Sequence, residues 1–181
     1  MKKIIVQAIA IPSTSLARQL LPGIDFADAF KCQVPEEQLQ NIDSVTRAIF
    51  LTLPQWIAAL LALRNAMVHP FGLKTSIATA PSSSRDELQP GTAVGAFEVL
   101  ERRLDELLLG EDDQHLDYRV SVRLEREEGS CWVVVSTVVK FNNWFGRAYF
   151  VLVRSVHQII VPAMMRSGLA SAVSHVSSAA A

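Results

Sequence analysis

Between Leu116 and Glu125 the chain alternates without interruption. Leu116, Tyr118, Val120, Val122 and Leu124 fall in one set of positions, and Asp117, Arg119, Ser121, Arg123 and Glu125 in the other. Successive side chains of a strand point to opposite faces, so this run specifies an antiparallel strand with one dry and one wet side. The turn Arg126–Ser130 follows, then a β-branched run, Cys131 to Phe141, apolar on both faces. Asn143 is an N-cap residue type. Beyond it Phe145, Tyr149, Leu152, Val156, Ile159, Ile160 and Ala163 recur at helical spacing. They predict a last helix from Trp144 to about Ser167, roughly 36 Å long, with a kink at Pro162.

The upstream half supplies the remaining elements. Ala29 to Val34 reads as a strand. Pro35-Glu36-Glu37 has the residue types of a helix start, and Leu39, Ile42, Val45 and Ile49 carry that helix to about Phe50. Pro54 opens a second helix with Trp56, Leu60, Leu63 and Met67 on one stripe, closed by His69-Pro70. Residues 74–95 are rich in Ser, Pro and Thr and predict a long loop, either a lid or disordered. Ala96 to Arg102 and Glu106 to Gly110 are further strand candidates. The order is strand, two helices, a run of antiparallel strands, then a long helix, an α+β layout. A curved sheet wrapped around a long C-terminal helix leaves a concave apolar gap of the kind that holds ligands.

Composition narrows the function classes. The chain has 181 residues, 50% of them hydrophobic, with 17 basic and 18 acidic side chains. That suits one domain able to bury its own core without a disulfide or metal. Scattered basic residues give no footprint for nucleic acid. Cys32 and Cys131 form no CxxC and read as buried thiols in a reducing, cytoplasmic setting. The start, MKKIIVQAIAIP, resembles a signal peptide in charge and apolarity. It is broken by Gln7 and lacks a small-x-small cleavage site, so residues 1–19 read as a strand or arm. No uninterrupted apolar run reaches the ~18 residues of a membrane span. The tail, 169–181, is of low complexity and is expected to be flexible.

Four stretches, LLPGIDFADAF, LPQWIAALLALRNAMVHPFGL, DDQHLDYRVSV and STVVKFNNWFGRAYFVLVRSVHQIIVPAMM, resemble successive blocks of a bacterial family of unknown function. That family is placed in the START-like, polyketide-cyclase-like (SRPBCC) superfamily. The blocks run from about Leu20 to Met165. One departure is Ser155, where a Pro is expected two residues before His157. The resemblance implies a helix-grip fold over residues 20–168, with two shorter helices after the first strand. It also implies a small hydrophobic or amphipathic ligand held between sheet and helix. It carries over no catalytic residue; the motifs of the chain themselves call for no cofactor and no metal.

The candidate site residues come from the sequence pattern. Trp56, Tyr118, Trp132, Tyr149 and Val153 are candidate lining residues, and Tyr118 brings a hydroxyl to an apolar face. Asp113, His115 and Asp117 are spaced by two. On a continuous strand they would make a carboxylate–imidazole–carboxylate row able to bind a divalent metal or to do acid–base work, with His115 and Asp117 the catalytic candidates; no HExxH or Cys/His cluster supports the metal. The competing reading is a polar turn running into a strand with both residues on its wet face. Arg64 interrupts an apolar region, where it could make a buried ion pair or meet a ligand carboxylate; the commoner reading is a surface-reaching Arg with its stem along apolar groups. Arg147, Arg154 and His157 read as a solvated helix face. No GxSxG elbow, P-loop or dinucleotide loop is present. The expectation is a ligand-binding protein, with a cyclase- or hydrolase-like enzyme acting through His115, Asp117 and Tyr118 as one alternative. A protein-interaction subunit, including a homodimer, is the other.

Overall fold

The computed structural model describes residues 4–35, 41–60, 87–127 and 130–179. Seven strands form one antiparallel sheet. They are β1 (Val6–Ile9), β2 (Phe26–Pro35), β3 (Ala93–Val94), β4 (Phe97–Arg102), β5 (Glu106–Asp112), β6 (Leu116–Glu127) and β7 (Ser130–Phe141), in the spatial order β1-β2-β7-β6-β5-β4-β3. The helices are α1 (Leu16–Gln19), α2 (Ile42–Leu51), α3, of which residues 55–60 are described, and α4 (Trp144–Ala179). The curved sheet with a long C-terminal helix on its inner face is a helix-grip arrangement.

The alternation in β6 sorts its faces as expected. Val120, Val122 and Leu124 belong to the main core with Phe30, Cys32 and Val34 of β2 and Val133 and Val135 of β7; Tyr118 packs at its edge. From the other side that core is closed by Ile42, Val45, Ile49 and Phe50 of α2 and by Met164, Met165 and Leu169 of α4. The opposite sheet face is less wet than the polar half of the alternation implies. Residues 11–24 fold back across it, and Leu16, Ala17 and Leu21 pack on Leu108 and Val138. Ser121 is thereby buried. Its hydroxyl donates to Glu106, which also accepts from Ser15 Oγ (3.2 Å) and the Leu16 N–H (2.8 Å). Three donors satisfy a buried carboxylate that would otherwise be costly. The arm expected over residues 1–19 thus contains a strand and a short helix.

Three boundaries differ from expectation. Pro35 does not open a helix; it closes β2, opposite Ser130. Helix α2 begins at Ile42, because Asn41 caps it: Asn41 Oδ1 accepts from the Ser44 N–H at 2.8 Å, and the Ser44 hydroxyl faces the Asn41 N–H. Pro54 does start a helical turn, accepting from the Ile57 N–H at 2.9 Å. The rest of that second helix, with Arg64, lies outside the described residues. So does 74–86 of the long loop, whose end contains the short strand β3. The last helix runs past Ser167 to Ala179, continuous through Pro162. Leu169, placed in a flexible tail from sequence, is a core residue. Ala and Ser carry the helix on without a breaker, Ala being the best helix former.

Two glycines let α4 lie close to its neighbours. A Cβ on Gly146 would stand 1.9 Å from the His115 carbonyl oxygen, and one on Gly168 would stand 2.3 Å from the Ala48 oxygen of α2. The helix N-terminus is capped as expected, with Asn143 Oδ1 accepting from the Gly146 N–H at 2.9 Å.

Candidate functional site

On β2 the inward positions are Phe26, Asp28, Phe30, Cys32 and Val34. The last three are core, whereas Phe26 and Asp28 lie beyond it, towards the N-terminal end of α4. Asp28 is paired in register with Thr137 of β7, so both face α4. The helix presents Tyr149, Phe150, Val153, His157 and Ile160 on this side. Phe150 is buried and the others are half-buried. The gap between sheet and helix is therefore filled at the Met165 end and less tightly closed at the Phe26 end.

A polar pair sits in this aromatic neighbourhood. His157 Nδ1 lies 3.1 Å from Asp28 Oδ2, with side-chain exposures of 17% and 15%. Phe26 stands edge-on to the imidazole at 6.2 Å and tilts against Phe150 at 4.8 Å; Phe150 meets Phe141 at 5.2 Å. An ionised carboxylate only accepts, so Nδ1 carries the proton, and the tautomer leaves Nε2 as the basic nitrogen. The second carboxylate oxygen, Asp28 Oδ1, is buried and has no hydrogen-bond partner among the described residues. A buried acceptor left in that state costs free energy unless something donates to it. This pair was missed from sequence. From sequence His157 reads as part of a solvated helix face and Asp28 carries no signal; the partners are 129 residues apart in the chain.

The residues chosen from sequence are dispersed. Tyr118 is on the inner sheet face, edge-on to Phe97 at 6.1 Å. Tyr149 and Val153 are on the same side of α4 as His157. Trp56 is 45% exposed at the start of α3. Trp132 is not in the gap. Cys131 and Val133 point inward, so period two turns Trp132 outward, where its Nε1–H donates to Glu127 (3.1 Å) under the Lys31 ammonium. The Asp113–His115–Asp117 row does not form, because β5 ends at Asp112 and β6 begins at Leu116, leaving a turn between them. Asp113 Oδ1 accepts from the Gln114 N–H, and His115 Nδ1 faces Asn143 Nδ2 at 3.2 Å. Asp117 holds Asn142 Nδ2 (2.7 Å) and Lys140 Nζ (3.5 Å) on the outer face, opposite Tyr118. These contacts tie the β5–β6 turn to the start of α4. Among the described residues no cluster of three metal-ligating side chains is present. A shallow groove of about 280 Å³ lies elsewhere, lined by Thr14, Arg103, Leu104, Asp105, Glu106 and Arg123.

A second polar cluster fixes α2 to the sheet. Arg102 donates two hydrogen bonds to Asp43, Nη1 to Oδ1 at 2.6 Å and Nη2 to Oδ2 at 3.0 Å, and the Leu88 N–H donates to Oδ1 at 2.8 Å. Burial alone would raise the Asp43 pKa. The Arg102 and Leu88 hydrogen bonds and the Arg102 and Arg47 charges outweigh it, and the carboxyl titrates below its ordinary value. Bidentate geometry and burial make this a structural clamp.

The family model described as a protein of unknown function, DUF2867, matches residues 20–164. No curated protein matches. Among solved structures, the crystal structure of CalU16 from Micromonospora echinospora is similar, at 13% identity and a TM-score of 0.30, with 97% of this chain and 96% of that one covered.

Proposed function

We propose that this chain, which belongs to DUF2867, a family of unknown function, is a binding protein for a small amphipathic molecule, held between the inner sheet face and α4 in the manner of START-like domains. The observation that carries this reading is Asp28 Oδ1, a buried acceptor without a donor, set among Phe26, Phe150 and His157. A ligand hydroxyl or ammonium there would supply the missing hydrogen bond. Its apolar body would lie along Tyr118, Tyr149 and Val153. Apolar walls with few convergent polar groups are the usual make-up of such sites.

Native mass spectrometry of the purified protein, with Asp28→Leu beside it, tests the proposal. The wild type should carry a non-covalent small molecule that Asp28→Leu lacks. Circular dichroism should show the variant folded, because removal of the unsatisfied Oδ1 offsets loss of the hydrogen bond to His157, so that a missing molecule reports binding and not unfolding. A wild type that retains no small molecule and binds no apolar fluorescent probe, or a variant that keeps the ligand at wild-type occupancy, would refute it.

The Asp28–His157 contact also favours a second reading, in which His157 Nε2 acts as a general base on the bound molecule with Asp28 orienting the ring. Of the enzyme alternatives this is better supported than one using His115, Asp117 and Tyr118, which lie on different faces. A His157→Gln variant that turns over an identified ligand as fast as wild type would exclude it.

A further inference from the structure

The outward face of α4 is apolar where solvent-facing helices are normally polar. Trp144 is 80% exposed, Val151 66%, Leu152 69%, Val156 38% and Ile159 63%. At 100° per residue these positions share one stripe, with Ala148 and the small polar Ser155 between them, over about 22 Å of helix. The helix is long and apolar enough by composition to cross a membrane. However, its following turns are committed to the core through Met164, Met165 and Leu169, and the stripe, on the turns before them, has no partner among the described residues. A patch of this extent marks an interaction surface more often than a solvated one.

The charges around the stripe discriminate between occupants. From Trp144 to Ala179 the helix contains Arg147, Arg154 and Arg166 and no Asp or Glu. Arg147 and Arg154 are exposed along one edge of the stripe, their guanidinium groups 5.9 Å from Phe141 and 5.6 Å from Phe26. The acidic turn Glu111–Asp113 is on the other side of the helix, since the His115 carbonyl faces the inward Gly146. Two copies packed stripe to stripe in antiparallel fashion would bring the edge arginines of both helices together with no helix carboxylate to oppose them. An anionic plane meets no such penalty: it accepts the apolar side chains and pairs the arginines. Trp144 at the end of the stripe has the amphipathic ring favoured at a membrane–water boundary.

We propose that α4 docks this protein, through Trp144, Val151, Leu152, Val156 and Ile159, onto an anionic lipid surface, lying in its plane with Arg147 and Arg154 against the headgroups. This does not depend on the Asp28 site, which is on the opposite side of the helix.

The test is co-sedimentation of the full chain with vesicles of phosphatidylcholine alone and of phosphatidylcholine with phosphatidylglycerol, alongside sedimentation velocity without lipid. The protein should bind the mixed vesicles, and added salt should weaken binding. The double variant Arg147→Gln/Arg154→Gln should lose roughly 30-fold in partitioning. Leu152→Ser/Ile159→Ser should abolish binding with its circular dichroism and melting temperature unchanged, because both positions are exposed. No binding by wild type, or equal binding to both vesicle types, would overturn the proposal. So would a concentration-dependent dimer that the Leu152→Ser/Ile159→Ser variant loses, which would identify a second copy as the occupant.

Discussion

Replacing Gly168 by Ala sets two effects against each other. Glycine inside a helix is about 1 kcal/mol less favourable than alanine, so on propensity alone the change should stabilise α4. The structure opposes it. An added Cβ would lie 2.3 Å from the Ala48 oxygen, 2.5 Å from the Ala48 carbonyl carbon and 2.7 Å from the Ile49 Cα, all of them α2 backbone. No rotamer change relieves such a clash. Helix α2 would have to retreat by about 1 Å to reach ordinary contact, and it is held by buried Val45 and Ile49 and by the Asp43–Arg102 clamp. Overpacking of this kind costs about 3 kcal/mol at the upper end of its usual range, leaving a net loss near 2 kcal/mol. For a domain of this size that lowers the melting temperature by about 4–8 °C. Far-UV circular dichroism melts of Gly168→Ala measure it, with the exposed Ser155→Ala on the same helix as control, expected to gain a few tenths of a kcal/mol. A Gly168→Ala protein as stable as wild type, or more so, would refute the close α2–α4 contact.

Asp43→Asn should cost about 2–4 kcal/mol by urea denaturation, because it leaves Arg102 with a neutral partner in a largely buried site. The folded pKa of Asp43 is depressed below 3.8, so its contribution is present above that value and lost as pH falls through the folded pKa. Wild-type melting temperature should therefore drop more steeply than that of the variant below pH 3.8; parallel curves would refute the linkage. Cys32 should resist iodoacetamide in the native state, since burial first and the neighbouring Cys131 second push its thiol from 9.0 up to about 12. The thiolate population falls roughly a thousandfold, and labelling should appear only with denaturant. The raised value also means that stability is fully present below pH 9 and declines as pH rises towards 12. Rapid labelling of the native protein would contradict the buried placement.

What the sequence made legible follows from which patterns are local. Period two is exact in a strand, so Tyr118, Val120, Val122 and Leu124 announced their shared face, and β5, β6 and β7 could be read from their own residues. The Asn143 cap is equally local. Where two local signals compete, one of them misleads: Pro35 suits a helix start and a strand end alike, and Asn41, six residues later, decides. The Ala/Ser-rich end of α4 lacks an apolar period yet contains no breaker, so it looked like a tail. The Asp28–His157 pair was invisible for another reason. It exists because β2 joins β7 and α4 crosses that seam, and no spacing within either segment encodes the crossing. His115 and Asp117 misled in the opposite sense, since equal spacing implies one face only along an unbroken strand, and a turn falls between them.

The register of β2 against β7, Phe26 with Val139 and Pro35 with Ser130, governs how this chain can be made. At the ribosome β2 emerges about a hundred residues before the strand that completes it, and β1 has only β2 to lean on. The sheet cannot close until synthesis has passed Phe141, and its inner face stays uncovered until α4 follows. For most of its synthesis the polypeptide thus exposes an apolar strand edge, with the slow, long-range pairing typical of high contact order. A nascent chain of this kind depends on being shielded until its last helix arrives.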